Sequence, residues 1–347
     1  MKNLIRKSVQ ELEAYAPGEQ PKVDGLIKLN TNENPYPPSP AVASALRDLA
    51  SESLRLYPDP VCSALRGRIA ALAGVGPDNV FVGNGSDEVL RLVTRAFTQP
   101  GGAVASFSPS YSLYPVLAAA EEVGFRAVPL PDDFGWTEPP ADLGASLFFL
   151  ANPNAPTGVF YPVEAIESFC RRFPGVVLVD EAYVDFSGGR NAMELAKKLP
   201  NVLVARTMSK SFSLAGLRIG WTIGSADLIG ALYKLKDSYN VDRLAQAVAF
   251  AALGDLPWMQ ANAKKIAATR ERIAAELEKR KYRVVPSASN FLFVEPPEGL
   301  AAGDLFALLR TKKIIVRYFP GGRTGNFLRV SVGTDGQMDA FLAALPR

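Results

Sequence analysis

Histidine is absent from the 347 residues, which removes the commonest general base near neutral pH and the commonest metal ligand. Proton transfer must use another group, and a lysine perturbed by its surroundings or by a cofactor is the obvious substitute. Cysteine is scarce too. Cys62 and Cys170 give neither a disulfide framework nor a metal spacing, and their apolar, helical neighbours assign both to buried packing. No metal is expected. The formal charge of +3 is spread along the chain without a basic tract, so nucleic acid is not an expected partner. No window approaches a membrane span, and the amphipathic start MKNLIRKSVQELEAY lacks a signal peptide's apolar core. No membrane contact is expected, and the cytoplasm is the default location.

What is present is an ordinary globular composition, 48% hydrophobic and 21% charged. The length exceeds what one core usually supports, so a large domain with a smaller companion is expected. Residues 1–40 end in the turn-rich NTNENPYPPSP and read as an arm laid over another surface, contributing to the small domain and to dimer contacts. Residues 41–258 read as the large domain. Apolar runs at 79–82, 102–107, 125–130, 145–151, 176–180, 201–206 and 218–223 predict strands, with helices near 61–73, 87–97, 111–123, 162–173, 225–239 and 241–253. Buried runs separated by helices indicate a mostly parallel central sheet covered on both faces, an α/β fold. Residues 259–347 read as a small α+β domain opened by a charged helix over 259–281.

Four constellations could carry chemistry. In Gly83–Asn84–Gly85–Ser86–Asp87–Glu88, small residues permit a tight strand-to-helix turn whose free amides could hold an anion, although a plain helix cap at Ser86 explains the same residues. The run Val176–Val179 ends in Asp180–Glu181, placing a carboxylate at the edge where open α/β sheets bind ligands. A protonated ring nitrogen would suit Asp180 there. A solvent-facing acid remains the alternative. Between Arg206 and Arg218 lie Thr207, Ser209, Lys210, Ser211 and Ser213, in which hydroxyls and Arg218 could bind phosphate and Lys210 could form an imine with an aldehyde. A solvent-facing loop would account for the serines alone. Arg317, Arg323 and Arg329 near the last strands suit carboxylate or phosphate, though surface arginines are common.

Taken together, LNTNENP at 29–35, YPDP at 57–60, NGSDE at 84–88, PSY at 109–111, DEAY at 180–183, RTMSKSFSLAGLRIG at 206–220 and FLRVSVGT at 327–334 resemble the fold-type I pyridoxal-phosphate aminotransferases. The resemblance is closest to the histidinol-phosphate aminotransferases and runs from about Tyr15 to Gly333. It implies pyridoxal 5'-phosphate as cofactor, with Lys210 as its covalent anchor and proton shuttle. Asp180 would pair with the ring nitrogen, Tyr111 would stack on the ring, and Tyr183 would bond the phenolic oxygen. Ser86, Asp87, Thr207, Ser209 and Arg218 would surround the cofactor phosphate. Tyr57 would reach that phosphate from a neighbouring subunit, implying a homodimer with shared active sites. Arg329, Arg317, Tyr15 and Asn32 would contact substrate.

The reaction so implied moves an amino group between glutamate and imidazole-acetol phosphate, giving 2-oxoglutarate and histidinol phosphate. One departure from the family pattern stands at Ala155, where asparagine usually precedes Pro-Thr-Gly. Asn154 or Asn152 would then supply the missing contact, or Tyr183 would carry more of it. An aromatic aminotransferase and a phosphoamino-acid decarboxylase on the same scaffold would use nearly the same residues.

Overall fold

The computed structural model describes residues 4–140 and 142–346. In chain order the strands are β1 (Ile27–Leu29), β2 (Val80–Asn84), β3 (Ala103–Ser108), β4 (Gly124–Pro129), β5 (Leu147–Ala151), β6 (Val176–Asp180), β7 (Val202–Thr207), β8 (Ile219–Ile223), β9 (Arg283–Val285), β10 (Phe291–Glu295), β11 (Ile314–Tyr318) and β12 (Leu328–Ser331). Seven of them form the central sheet in the order β2-β8-β7-β6-β5-β3-β4, and five form a second sheet in the order β1-β11-β12-β10-β9. Only β8 runs against its neighbours in the central sheet. This is the mostly parallel α/β architecture the hydrophobic runs predict.

Strand periodicity decides which face each side chain enters. Phe148 and Leu150 of β5, with Val177 and Val179 of β6, join one buried cluster, while Leu147, Phe149 and Leu178 join the cluster on the opposite face. Asp180 shares its parity with Leu178 and so falls on the face covered by the helix Leu113–Ala120. Tyr114 comes from that helix, stacks on Phe149 at 4.7 Å and bonds Asp180.

The two sheets share one long element. The helix Leu256–Lys279 has 24 residues, about 36 Å at 1.5 Å per residue. Met259, Ala263 and Ile266 enter the core of the central sheet, whereas Ile273 and Leu277 enter that of the small sheet.

Several local expectations are corrected. Part of the segment read as an irregular arm is regular, because Ile27–Leu29 pairs in parallel with β11 and buries Leu29. The helix expected over 225–239 ends at Leu235. Beyond it, the buried Asn240 amide bonds Val82 O at 3.1 Å and Glu88 Oε2 at 2.9 Å, drawing the chain out of helical geometry. The helix Asp335–Ala344 was not expected, although Thr334 and Gln337 close a capping box at its start. Ser86 is the first residue of its helix rather than the cap, which is Gly85.

Candidate active site

Strand direction gathers the polar groups on one edge. Strands β2, β3, β5, β6 and β7 all end there, at Asn84, Ser108, Ala151, Asp180 and Thr207. Antiparallel β8 instead begins there, so the residue before it, Arg218, arrives at the same edge. This is the position where open α/β sheets bind ligands. A cavity of about 440 Å³ opens between this edge and the small sheet. Thirteen of the predicted site residues line it: Ser86, Asp87, Tyr111, Asp180, Tyr183, Thr207, Ser209, Lys210, Arg218, Tyr15, Asn32, Arg317 and Arg329.

One end of the cavity is built for an anion. The helix Ser86–Phe97 points its N-terminus into it, and the first-turn amides of any helix lack intrahelical partners. Gly85 holds φ 80, and a Cβ there would stand 2.7 Å from Arg218 Nη2. At Gly220 a Cβ would meet Ser86 N at 2.4 Å. Glycine at these two positions lets helix, strand and guanidinium converge. Arg218, itself in the left-handed region at φ 57, lies 3.1 Å from Asp87 Oδ2. Thr207 Oγ1 accepts from Ser209 N at 3.1 Å and lies 2.9 Å from Ser209 Oγ.

The middle of the cavity holds Asp180 and Lys210. Asp180 accepts from the Tyr114 hydroxyl at 2.9 Å and from Ala182 N at 3.1 Å. Burial nevertheless pushes its carboxyl up to about 6, because two neutral donors do not replace water around a charge. A cation in the cavity would relieve that cost. Lys210 Nζ donates to Thr31 O at 3.2 Å. Burial, then the nearby Arg329 guanidinium, lowers it to about 8, so the free amine is far more accessible near neutral pH than that of an ordinary lysine. Tyr111 meets Tyr114 edge-on at 5.5 Å and Tyr15 at 5.9 Å, forming an aromatic wall. Burial raises the Tyr111, Tyr114 and Tyr183 phenols, keeping all three protonated.

At the mouth, Arg317 of β11 and Arg329 of β12 are cross-strand partners. Two like charges directly opposite each other are unfavourable without an anion or other compensation. Phe319 lies between them, 5.2 Å from the Arg317 guanidinium and 5.4 Å from that of Arg329, and Phe291 flanks Arg329 at 5.3 Å. Arg329 Nη2 donates to Asn30 O at 3.0 Å, while its buried Nε has no hydrogen-bond partner among the described residues. Arg317 is engaged differently. Its two terminal nitrogens donate to Pro17 O at 3.2 Å and Ala16 O at 2.9 Å, pinning the segment that carries Tyr15.

Asn154 does not line the cavity. Its amide donates to Pro109 O at 3.1 Å and Thr157 Oγ1 at 2.9 Å and accepts from Ser110, so it braces its own loop. Asn152 is equally committed, through Tyr161 O and Tyr161 N. Neither stands in for the amide missing at Ala155, which does line the cavity. Tyr57 lies outside it as well, 76% exposed and stacked on Tyr239 at 4.3 Å. Arg323 donates to the carbonyls of Leu130 and Pro131, away from the cavity. Sequence reasoning missed Tyr114, Thr31 and Phe319. Tyr114 reads as one more apolar residue in a helix, and only the parity shared by Leu178 and Asp180 could have pointed to it.

Residues 24–345 match the family model described as aminotransferase class I and II. The chain belongs to that family. Among relatives of this aminotransferase, histidinol-phosphate aminotransferase 1 of Bordetella parapertussis is 47% identical, over 98% of this chain and 97% of its own. Histidinol-phosphate aminotransferase 2 of Gluconobacter oxydans is 45% identical, over 96% of this chain and 95% of its own. The solved histidinol-phosphate aminotransferase of Sinorhizobium meliloti, in complex with pyridoxal-5'-phosphate, superposes with a TM-score of 0.87 at 27% identity, covering 99% of this chain and 96% of that one. The aspartate aminotransferase of Thermus thermophilus shares the fold, with a TM-score of 0.82.

Proposed function

We propose that this aminotransferase uses pyridoxal 5'-phosphate to move an amino group between glutamate and imidazole-acetol phosphate, yielding 2-oxoglutarate and histidinol phosphate in histidine biosynthesis. The observation that carries the substrate is the cross-strand pair Arg317 and Arg329 at the mouth of the cavity that holds Lys210. Arg329 in particular has a buried Nε without a partner among the described residues, a donor suited to the carboxylate of one substrate and the phosphate of the other.

The cofactor fits the residues present. Ser86, Asp87, Thr207, Ser209 and Arg218 would hold its phosphate in the space that Gly85 leaves open. Asp180 would hold its ring nitrogen, Tyr111 and Tyr183 would flank it, and Lys210 would anchor it. Bound there, it supplies an aldehyde and an electron-accepting ring. Lys210 Nζ would accept the proton from the substrate α-carbon and carry it within the cavity. Asp180 holds positive charge opposite its own buried carboxylate. Arg329 orients the substrate's anionic end, and the pinned segment bearing Tyr15 screens the cavity from water. The 1–40 arm, the 41–258 large domain and the 259–347 small domain divide these tasks, with Arg317 and Arg329 on the small sheet.

Turnover with histidinol phosphate and 2-oxoglutarate tests the reading against phenylalanine and threonine phosphate. Arg329→Ala should lower kcat/KM for histidinol phosphate by about 30-fold or more, since a desolvated charge pair is lost. Turnover of phenylalanine but not of histidinol phosphate by the wild-type protein would overturn the assignment.

The working form is a homodimer. Leu46, Tyr57, Tyr239 and Leu244 are all exposed on elements that touch one another: the helices Pro40–Asp48 and Arg243–Ala252 pack together, Tyr57 stacks on Tyr239, and Arg243 donates to Tyr57 O. An apolar surface of this kind suits a second copy of the chain. Tyr57 would complete the partner's phosphate site. Mixed dimers of Lys210→Ala and Tyr57→Ala chains should then turn over faster than the mean of the two parent dimers. Activity equal to that mean would rule out sites shared in this way.

A further inference from the structure

Asn32 is 1% exposed and holds φ 56, a left-handed conformation that asparagine tolerates better than most residues. Three bonds from the small sheet fix it. Its backbone N–H donates to Ser331 Oγ at 2.8 Å, and its carbonyl accepts from Asn290 Nδ2 at 2.9 Å. The Ser331 hydroxyl, having accepted the backbone N–H, gives its single proton to Asn32 Oδ1 at 2.9 Å. With Oδ1 occupied, the opposite end of the amide faces Tyr183, and Nδ2 donates to the phenolic oxygen at 3.0 Å. Among the described residues no other hydrogen bond reaches that oxygen. Tyr183 is therefore an acceptor towards Asn32, and its own proton must be given elsewhere. The open direction is the cavity, which both residues line.

We propose that Asn32 is a positioning residue: by donating to Tyr183 it turns the Tyr183 proton into the cavity, toward an anionic oxygen of the bound cofactor, and Ser331 sets the amide's orientation. The proposal rests on the reading of Tyr183 as a cofactor contact. It differs from a substrate role for Asn32, whose amide is already engaged at both ends. It also ties the small sheet to the chemistry, since Ser331 ends β12 and Asn290 precedes β10.

The direct test follows the pH titration of the bound cofactor's absorbance in the holoenzyme. Without Asn32 the Tyr183 hydroxyl is free to turn away, the anionic form of the cofactor loses a donor, and Asn32→Ala should raise the titration midpoint by about 0.5–1 pH unit. Ser331→Ala should shift it the same way by less. In a Tyr183→Phe background, Asn32→Ala should add nothing, because the group through which it acts is gone. Kinetically, kcat should fall about 10-fold with KM nearly unchanged. An unmoved midpoint in Asn32→Ala overturns the proposal, as does an undiminished shift in the Tyr183→Phe background. Should Asn32→Ala fail to fold, Ser331→Ala alone and with Tyr183→Phe carries the same comparison. Absence of any cofactor titration in the wild-type protein would instead overturn the cofactor reading itself.

Discussion

Lys210→Ala should lower kcat by about 10⁴-fold, the loss expected when a proton carrier at the reacting carbon is removed. The same change removes the anchoring amine, so borohydride should no longer fix the cofactor to the chain. In the wild-type protein the anchoring rate should depend on pH in a defined direction. Burial and Arg329 hold Lys210 near 8 instead of 10.5, and only the free amine attacks an aldehyde. As pH rises through about 8 the conjugate acid loses its proton, so cofactor uptake by the cofactor-free protein should accelerate and then level off. With no histidine in the chain, no imidazole can substitute. Stopped-flow uptake between pH 6 and 10 measures this directly. A rate flat through that interval would remove the lysine's lowered proton affinity from the account.

Asp180→Asn should separate stability from activity. Burial raises the Asp180 carboxyl from 3.8 to about 6 in the cofactor-free chain. Between those values the folded protein binds more protons than the unfolded one, so stability falls as pH rises from about 4 to about 6 and stays lower above it. At pH 7 the ionised group costs about 3 kcal/mol, from 1.36 kcal/mol per unit. Asparagine carries no charge, so the cofactor-free variant should melt a few degrees higher at pH 7, at roughly 2 °C per kcal/mol for a chain of this size. It should also lack the decline between pH 4 and 6. Turnover should fall about 10³-fold, because a neutral amide does not balance a protonated ring nitrogen. A cofactor-free variant less stable than the wild type at pH 7 would show that the Tyr114 and Ala182 bonds outweigh the buried charge.

Strand identity was legible because burial on both faces of a parallel sheet leaves short, continuous apolar runs such as Phe148–Phe149–Leu150 and Val176–Val179. The ends of those runs placed Asp180, Thr207 and Lys210 on one edge, since parallel strands deliver their last residues together. What the sequence did not reveal depends on side-chain direction. Asn154 sits one residue from a cavity-lining alanine, yet its amide turns into its own loop. Arg317 and Arg323 look equivalent to Arg329 as letters. Carbonyls of Ala16 and Pro17 bind Arg317, and those of Leu130 and Pro131 bind Arg323, whereas of the three only Arg329 keeps a buried donor free among the described residues. β1 was hidden because three residues are too few for periodicity to register, and only its pairing with β11 defines it.

The lone antiparallel strand of the central sheet has one more consequence. Because β8 returns beside β7, Ser209, Lys210 and Arg218 all lie on the single connection between them, and Thr207, the last residue of β7, pairs with Gly220 across its base. Surface loops usually accommodate insertions and deletions. Here one added or missing residue would displace the amine and the phosphate-binding guanidinium relative to each other, so the length of this connection is as constrained as its composition.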